Sequence, residues 1–365
     1  VNRTKLRIAA PAALAVSAVL ALSACGAGNE ADATDSESDG ALSGTLNGAG
    51  ASSQEAAVDA WKQGFQTANP DVTVNYDPVG SGSGREQFIA GGTAFAGSDA
   101  YMDDEELTAA AERCGSDVVE VPTYVSPIAV IYNLPGVDTL QLSPEATGAI
   151  FEGTITKWND PAIAEDNPDV DLPDSRIVPV HRADDSGTTE NFTTYLDATS
   201  GGSWSGGVVE TWPIEGGEAA DGTSGVVAAV QGGEGTIGYA DASQAGDLGV
   251  AMLKVGEEYV GPTPEAAASI LEASSRVEGR GDTDIALDID HGTSESGVYP
   301  NVLVSYQIAC LQYDDQETVD LVKGWLTYVI SEEGQQASAE SAGSAPITGD
   351  MASQIQDIVD QISTK

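Results

Sequence analysis

Ile177-Val178-Pro179-Val180-His181-Arg182-Ala183-Asp184-Asp185-Ser186-Gly187-Thr188-Thr189-Glu190 passes from an apolar run, through small and acidic residues, towards Phe192. The run reads as a strand, the centre as a turn, and the end as the start of a helix. Two earlier stretches share the design. Gly48-Ala49-Gly50-Ala51-Ser52-Ser53-Gln54-Glu55 leads into a helix carrying Val58, Trp61 and Phe65. Gly80-Ser81-Gly82-Ser83-Gly84-Arg85-Glu86 follows a strand with Val72, Val74 and Tyr76 on alternate positions. Ser52 with Glu55, and Ser83 with Glu86, match capping boxes. Further strands are expected at Val118–Val121, Tyr124–Asn133, Ile237–Tyr239, Val250–Val255 and Val302–Ala309. Leu321, Trp325 and Val329 make a helical stripe, as do Ile355, Ile358 and Ile362. No fixed-period repeat interrupts the alternation. The pattern predicts an α/β fold with a largely parallel sheet.

The chain has 365 residues, enough for two globular units. Fourteen Lys and Arg face 58 Asp and Glu, a formal charge of −44. Nucleic-acid phosphates are neutralised by basic faces, so a nucleic-acid partner is excluded. Two His and three Cys leave little for a metal or iron–sulfur centre, and no cofactor is expected. Arg3, Lys5 and Arg7 precede an apolar run from Ile8 to Ala24, which reads as a secretory signal over residues 1–24. A single membrane anchor is the other reading, but the run is short and contains Pro11. Leu22-Ser23-Ala24-Cys25 resembles a lipoprotein processing box, so Cys25 is the expected lipidation site and membrane anchor. Residues 25–40, with Asp32, Asp35, Glu37 and Asp39, read as a flexible acidic tether. Cleavage would leave 11 basic residues against 58 acidic ones. Cys114 and Cys310 then remain, either as one disulfide or as two buried thiols.

A helix start exposes unpaired N–H groups and partial positive charge, and Gly and Ser let an anion come close. One such turn is equally a plain helix cap; three in one chain point to an oxyanion pocket if the fold unites them. Arg182 beside the third turn can grip an oxyanion through parallel hydrogen bonds, or can simply pair with Asp184 or Asp185. Asp99 follows Ala94-Phe95-Ala96-Gly97-Ser98 and can equally cap a helix over Glu105 and Leu107. Beside an anion, a carboxylate attracts only a ligand that still carries a proton. Phosphate does; sulfate does not, and would leave the buried charge unpaired.

The segments GAGAS, VGSGSGREQF, FAGSDA and HRADDSGTT, with IFEGTITKWNDPAIAEDNP and GTIGYADAS, closely resemble the phosphate-binding lipoprotein of the high-affinity phosphate ABC transporter, within the periplasmic-type solute-binding superfamily. The likeness runs from about Leu42 to the C-terminus. It implies two discontinuous α/β lobes around a central ligand cleft, one from residues 41–124 and 304–365, the other from 125–303. It implies phosphate contacts from Ser52, Ser53, Ser81, Asp99, Arg182, Ser186, Gly187 and Thr188, with Asp184 orienting Arg182. Cys114 and Cys310 would staple the first lobe. The first turn departs from the family's commoner Thr-Phe-Pro by reading Ser52-Ser53-Gln54, which puts its packing in doubt. The implied protein is a monomeric, extracytoplasmic lipoprotein on the outer face of the cytoplasmic membrane. It serves permease and ATPase subunits and catalyses nothing.

Three rivals follow from the same residues. The fold could hold sulfate or molybdate, which Asp99 argues against. An exported hydrolase would need a nucleophile elbow and a base; there is no Gly-x-Ser-x-Gly, and only His181 and His291 are available. The pairs Asp169/Asp171 and Asp282/Asp284 suggest calcium, but neither continues into an EF-hand loop.

Overall fold

Two long buried strands, Val118–Asn133 and Val302–Cys310, form the spine of the molecule in the computed structural model, which describes residues 42–347 and 349–365, without the side chains of 272 and 273. The expected signal, Cys25 and tether lie outside the described residues. Both spine strands are buried along essentially their whole length. That is why their sequences read as continuous apolar runs, not as alternations. They pair antiparallel from Val118 to Pro127, with a register shift at Ser305/Tyr306. Beyond Pro127 the longer strand continues and pairs antiparallel with Thr236–Asp241.

Parallel βαβ units flank the spine. On one side Ser43–Gly50 lies parallel to Asp71–Asp77 and to Phe95–Ser98. On the other Val178–Arg182 lies parallel to Thr236–Asp241 and to Glu218–Ala220. Among the described residues the order is Asp71–Asp77, Ser43–Gly50, Phe95–Ser98, Val302–Cys310, Val118–Asn133, Thr236–Asp241, Val178–Arg182, Glu218–Ala220. The expected largely parallel sheet is therefore corrected: the flanks are parallel, but the spine is antiparallel because the chain crosses the molecule and returns. Tyr124–Asn133 and Val118–Val121, read as separate runs, are one strand.

Helix Glu55–Ala68 buries Val58, Trp61 and Phe65 against helix Gln316–Ile330, where Trp325 meets Trp61 and Phe65 edge-on at centroid distances of 6.4 and 5.7 Å. A second apolar cluster, with Ile131, Val180, Val226, Val230 and Ala240, sits under helix Gly222–Gly232. Cys114 and Cys310 form a disulfide with Cα atoms 5.4 Å apart, joining two segments 196 residues apart in sequence. Among the described residues no helix is long and apolar enough to cross a membrane.

Candidate functional site

The three turns converge. The first ends strand Ser43–Gly50 and opens helix Glu55–Ala68; the second opens helix Ser81–Ile89; the third ends strand Val178–Arg182 and opens helix Gly187–Thr199. Gly84 allows the first two to touch, since a Cβ there would stand 2.3 Å from the Gly50 Cα. Gly187 allows the third to close on them, since a Cβ there would lie 2.8 Å from Asp99 Cβ, Ser81 Oγ and the Ala100 nitrogen. Ser52, Ser53, Ser81, Asp99, Arg182, Ser186 and Thr188 are all buried.

Asp99 is the centre of the cluster. Ser53 Oγ donates to both of its carboxylate oxygens at 2.7 Å. Ser305 Oγ donates to Oδ1 and Thr188 Oγ1 to Oδ2, each at 2.7 Å. Its own N–H donates to Ser81 Oγ at 3.1 Å. Burial pushes the Asp99 carboxyl above its ordinary value; the Ser53, Thr188 and Ser305 hydroxyls and the Arg182 charge oppose that only in part. Asp99 caps no helix: helix Asp104–Cys114 is capped by Asp103 in a capping box with Glu106.

Asp184 holds the Arg182 side chain. Its Nε donates to Asp184 Oδ1 at 2.7 Å, and Nη2 pairs with Asp184 Oδ2. Nη1 reaches Thr188 Oγ1 at 3.5 Å. Asp184 also accepts from the Gly222 N–H at 3.1 Å. Burial would raise the Asp184 carboxyl, but Arg182 and that N–H outweigh burial and hold it below its ordinary value. The Arg182 fork is thus fixed at one edge, leaving Nη1 directed towards Thr188 and Asp99.

Two capping expectations are corrected. Gln54 caps helix Glu55–Ala68 with no side-chain bond, because Ser52 Oγ instead accepts from Thr223 N at 3.0 Å and shares a hydrogen with Thr223 Oγ1 at 3.0 Å. Helix Ser81–Ile89 starts two residues before Ser83, with Gly80 at its cap. Ser186 does cap its helix, accepting from Thr189 N at 3.2 Å, while its own N–H goes to Glu210 O at 3.3 Å. Of the third turn's donors this leaves the Ser186 hydroxyl hydrogen and the N–H groups of Gly187 and Thr188.

Several participants were not read from the sequence. Ser305 lies inside an apolar strand, at a bulge that re-aims side chains. Thr223 and Gly222 begin a fourth helix at the same place. The doubt over Ser52-Ser53-Gln54 is answered by hydrogen bonds in place of aromatic packing: Gln54, fully buried, contacts Ser305 Oγ through Nε2 and accepts from Gln307 Nε2 at 3.0 Å. Both histidine rings hydrogen-bond backbone carbonyl oxygens. His181 stacks on Trp212 at 5.1 Å, and buried His291, held below its ordinary value by that burial, bonds Pro300 O at 2.9 Å. Asp284 is committed to Arg280 at 3.3 Å.

Two halves of a mixed α/β sheet, joined by crossing strands and closed over a buried polar cluster at four helix starts, define a solute-binding protein of the periplasmic type. A family model for the PBP superfamily domain matches residues 35–333. The phosphate-binding protein PstS 2 of Mycobacterium tuberculosis is 35% identical over 375 residues, covering 98% of this chain and 99% of that protein. PstS 3 of Mycobacterium leprae is 35% identical over 358 residues, covering 94% and 95%. A high affinity periplasmic phosphate-binding protein solved with phosphate superposes with a TM-score of 0.72 at 22% identity, over 86% of this chain and 93% of that one. A phosphate-binding protein from Stenotrophomonas maltophilia gives 0.70 at 19%, over 86% and 93%. The chain belongs to the PBP superfamily, in the family of PstS phosphate-binding proteins.

Proposed function

We propose that this protein captures inorganic phosphate outside the cytoplasm and delivers it to an ABC permease for import. One observation carries the reading: a buried acceptor, Asp99, and the Arg182 fork meet at the Thr188 hydroxyl, where the glycine- and serine-rich helix starts converge. Helix starts and a guanidinium favour an anion; a carboxylate among them favours one that brings a proton. The contacts are the N–H groups of Ser52, Ser53, Gly187 and Thr188, the hydroxyls of Ser52, Ser81 and Ser186, Asp99, and Arg182 held by Asp184. Relatives named for phosphate binding support the same ligand.

In this reading residues 41–124 and 304–365 form one lobe and 125–303 the other, with the spine strands crossing between them. Ligand binding favours the closed form through its greater affinity for that form. The body is strongly acidic, but screening confines its field to about 8 Å at physiological salt, so fixed dipoles and Arg182 dominate inside the cleft. Cys25 carries the lipid anchor, and the protein acts as a monomer that releases its ligand unchanged to permease and ATPase subunits. Calorimetric titration with phosphate, arsenate and sulfate tests the reading: the first two bind and sulfate does not. Tighter binding of sulfate than of phosphate would refute it.

A further inference from the structure

A second contact bridges the cleft, outside the ligand cluster. Arg85 lies on helix Ser81–Ile89 with its side chain 5% exposed. Its Nε donates to Glu106 Oε1 and its Nη1 to Ser98 Oγ, both at 2.9 Å. Its Nη2 donates to both Glu210 oxygens, also at 2.9 Å. Ser98 and Glu106 belong to the same side of the cleft as Arg85. Glu210 comes from the opposite side and is tied to the third turn: its carbonyl accepts from Ser186 N at 3.3 Å, and Val209 N donates to Thr193 Oγ1 at 3.1 Å.

Burial would weaken the Arg85 charge, but Glu210 and Glu106 outweigh it and hold the guanidinium ionised. Glu190, on the third-turn helix, borders the same group; burial and Glu210 push its carboxyl up to about 7. Glu106 and Ser98 fix the Arg85 side chain before the cleft closes, so little rotamer freedom is lost when Glu210 arrives. Opening the cleft would part Glu210 from Arg85 Nη2, while the Glu106 and Ser98 bonds lie on one side of it.

We propose that Arg85 and Glu210 form a clasp across the cleft mouth, made only in the closed form, that sets how long phosphate stays bound without selecting which anion enters. The inference rests on the phosphate reading and on the lobe division stated with it. Removing one partner of a buried, hydrogen-bonded charge pair acts mainly on dissociation. Glu106 is the internal control, since it pairs with Arg85 at the same distance but on the same side.

The experiment is stopped-flow phosphate release from the full protein and from E210Q, E210D, E106Q, R85Q and R85Q/E210Q. The expected result is release faster by about 10-fold or more in E210Q, with association changed less than about 2-fold. E210D falls between E210Q and the parent, E106Q, which loses only the pre-setting of Arg85, speeds release less than E210Q, and the double variant is no faster than R85Q. Unchanged release in E210Q, or equal acceleration by E106Q, overturns the clasp. If the parent binds no phosphate, the phosphate reading fails on its own. The clasp is then judged with arsenate or sulfate, whichever the titration shows to bind: E210Q must release that anion faster than the parent, and equal rates overturn it.

Discussion

Replacing Asp99 with Asn exchanges a buried acceptor for a group that both accepts and donates, with almost no change in shape. The amide oxygen can take the place of Oδ1 and keep the 2.7 Å bonds from Ser53 and Ser305. The amide nitrogen then takes the place of Oδ2, and the Thr188 hydroxyl, now 2.7 Å from it as a donor, turns to accept. Every local partner is kept, so folding is preserved and the change falls on the ligand. Phosphate loses a charge-assisted hydrogen bond from its own hydroxyl, about 1.5 kcal/mol at the low end for such bonds. Sulfate no longer faces a buried carboxylate to which it can offer no proton, which restores about 3 kcal/mol. Together these compress the preference for phosphate over sulfate by roughly three orders of magnitude, at about 1.4 kcal/mol per factor of ten. Competitive calorimetric titration of the two anions measures it. A pH series adds a second reading. The Asp99 carboxyl is raised by burial, so acidification protonates it and turns it into a donor. Sulfate rejection in the parent therefore weakens as pH falls, and D99N shows no such trend. A D99N preference within about threefold of the parent would refute the carboxylate account of selectivity.

Gly187→Ala places a methyl 2.8 Å from Asp99 Cβ and Ser81 Oγ across the cleft; phosphate affinity should fall by about 100-fold or more while the thermal midpoint of the ligand-free protein holds, as binding and melting curves will show. Buried carboxyls should give an inverted stability profile. Burial and Asp284 raise Glu120 to about 8, burial and Glu210 raise Glu190 to about 7, and burial raises Asp241 to about 6. The folded state then holds protons that the unfolded chain releases, so calorimetric stability rises as pH falls from about 8 to 5, and Glu120→Gln flattens the slope. Removing the Cys114–Cys310 bond by a double Ser replacement frees a 196-residue separation and should cost about 2–5 kcal/mol in denaturant titration, with no change in phosphate selectivity.

What the sequence revealed and what it concealed differ by the range of the interactions involved. The strand–turn–helix at Val178–Thr199 was legible because its signals are local: an apolar run, then small and acidic turn residues, then a helix start towards Phe192. Arg182 was legible because it neighbours that turn and is one of only 14 basic residues. Ser52 misled because its hydroxyl has two satisfying partners, one near and one 171 residues away, and the distant one, Thr223, prevails. Arg85 was hidden for the same reason. On a helix with four small residues it reads as a solvated side chain, but Ser98, Glu106 and the distant Glu210 enclose it. The sheet direction was misjudged because a parallel pattern in each flank says nothing of how a 16-residue strand joins them. Ser305 and Gln307 point to a better rule. In a strand covered on both faces, a polar side chain is costly unless it has a partner. A polar residue inside such a run is therefore a reason to look for a distant polar group. Here Ser305 implies Asp99, and Gln307 implies Gln54, which leads back to the first turn. These two interruptions of an apolar run mark the ligand cluster as directly as the glycine turns do, because the burial that builds the spine makes Ser305 and Gln307 find partners there.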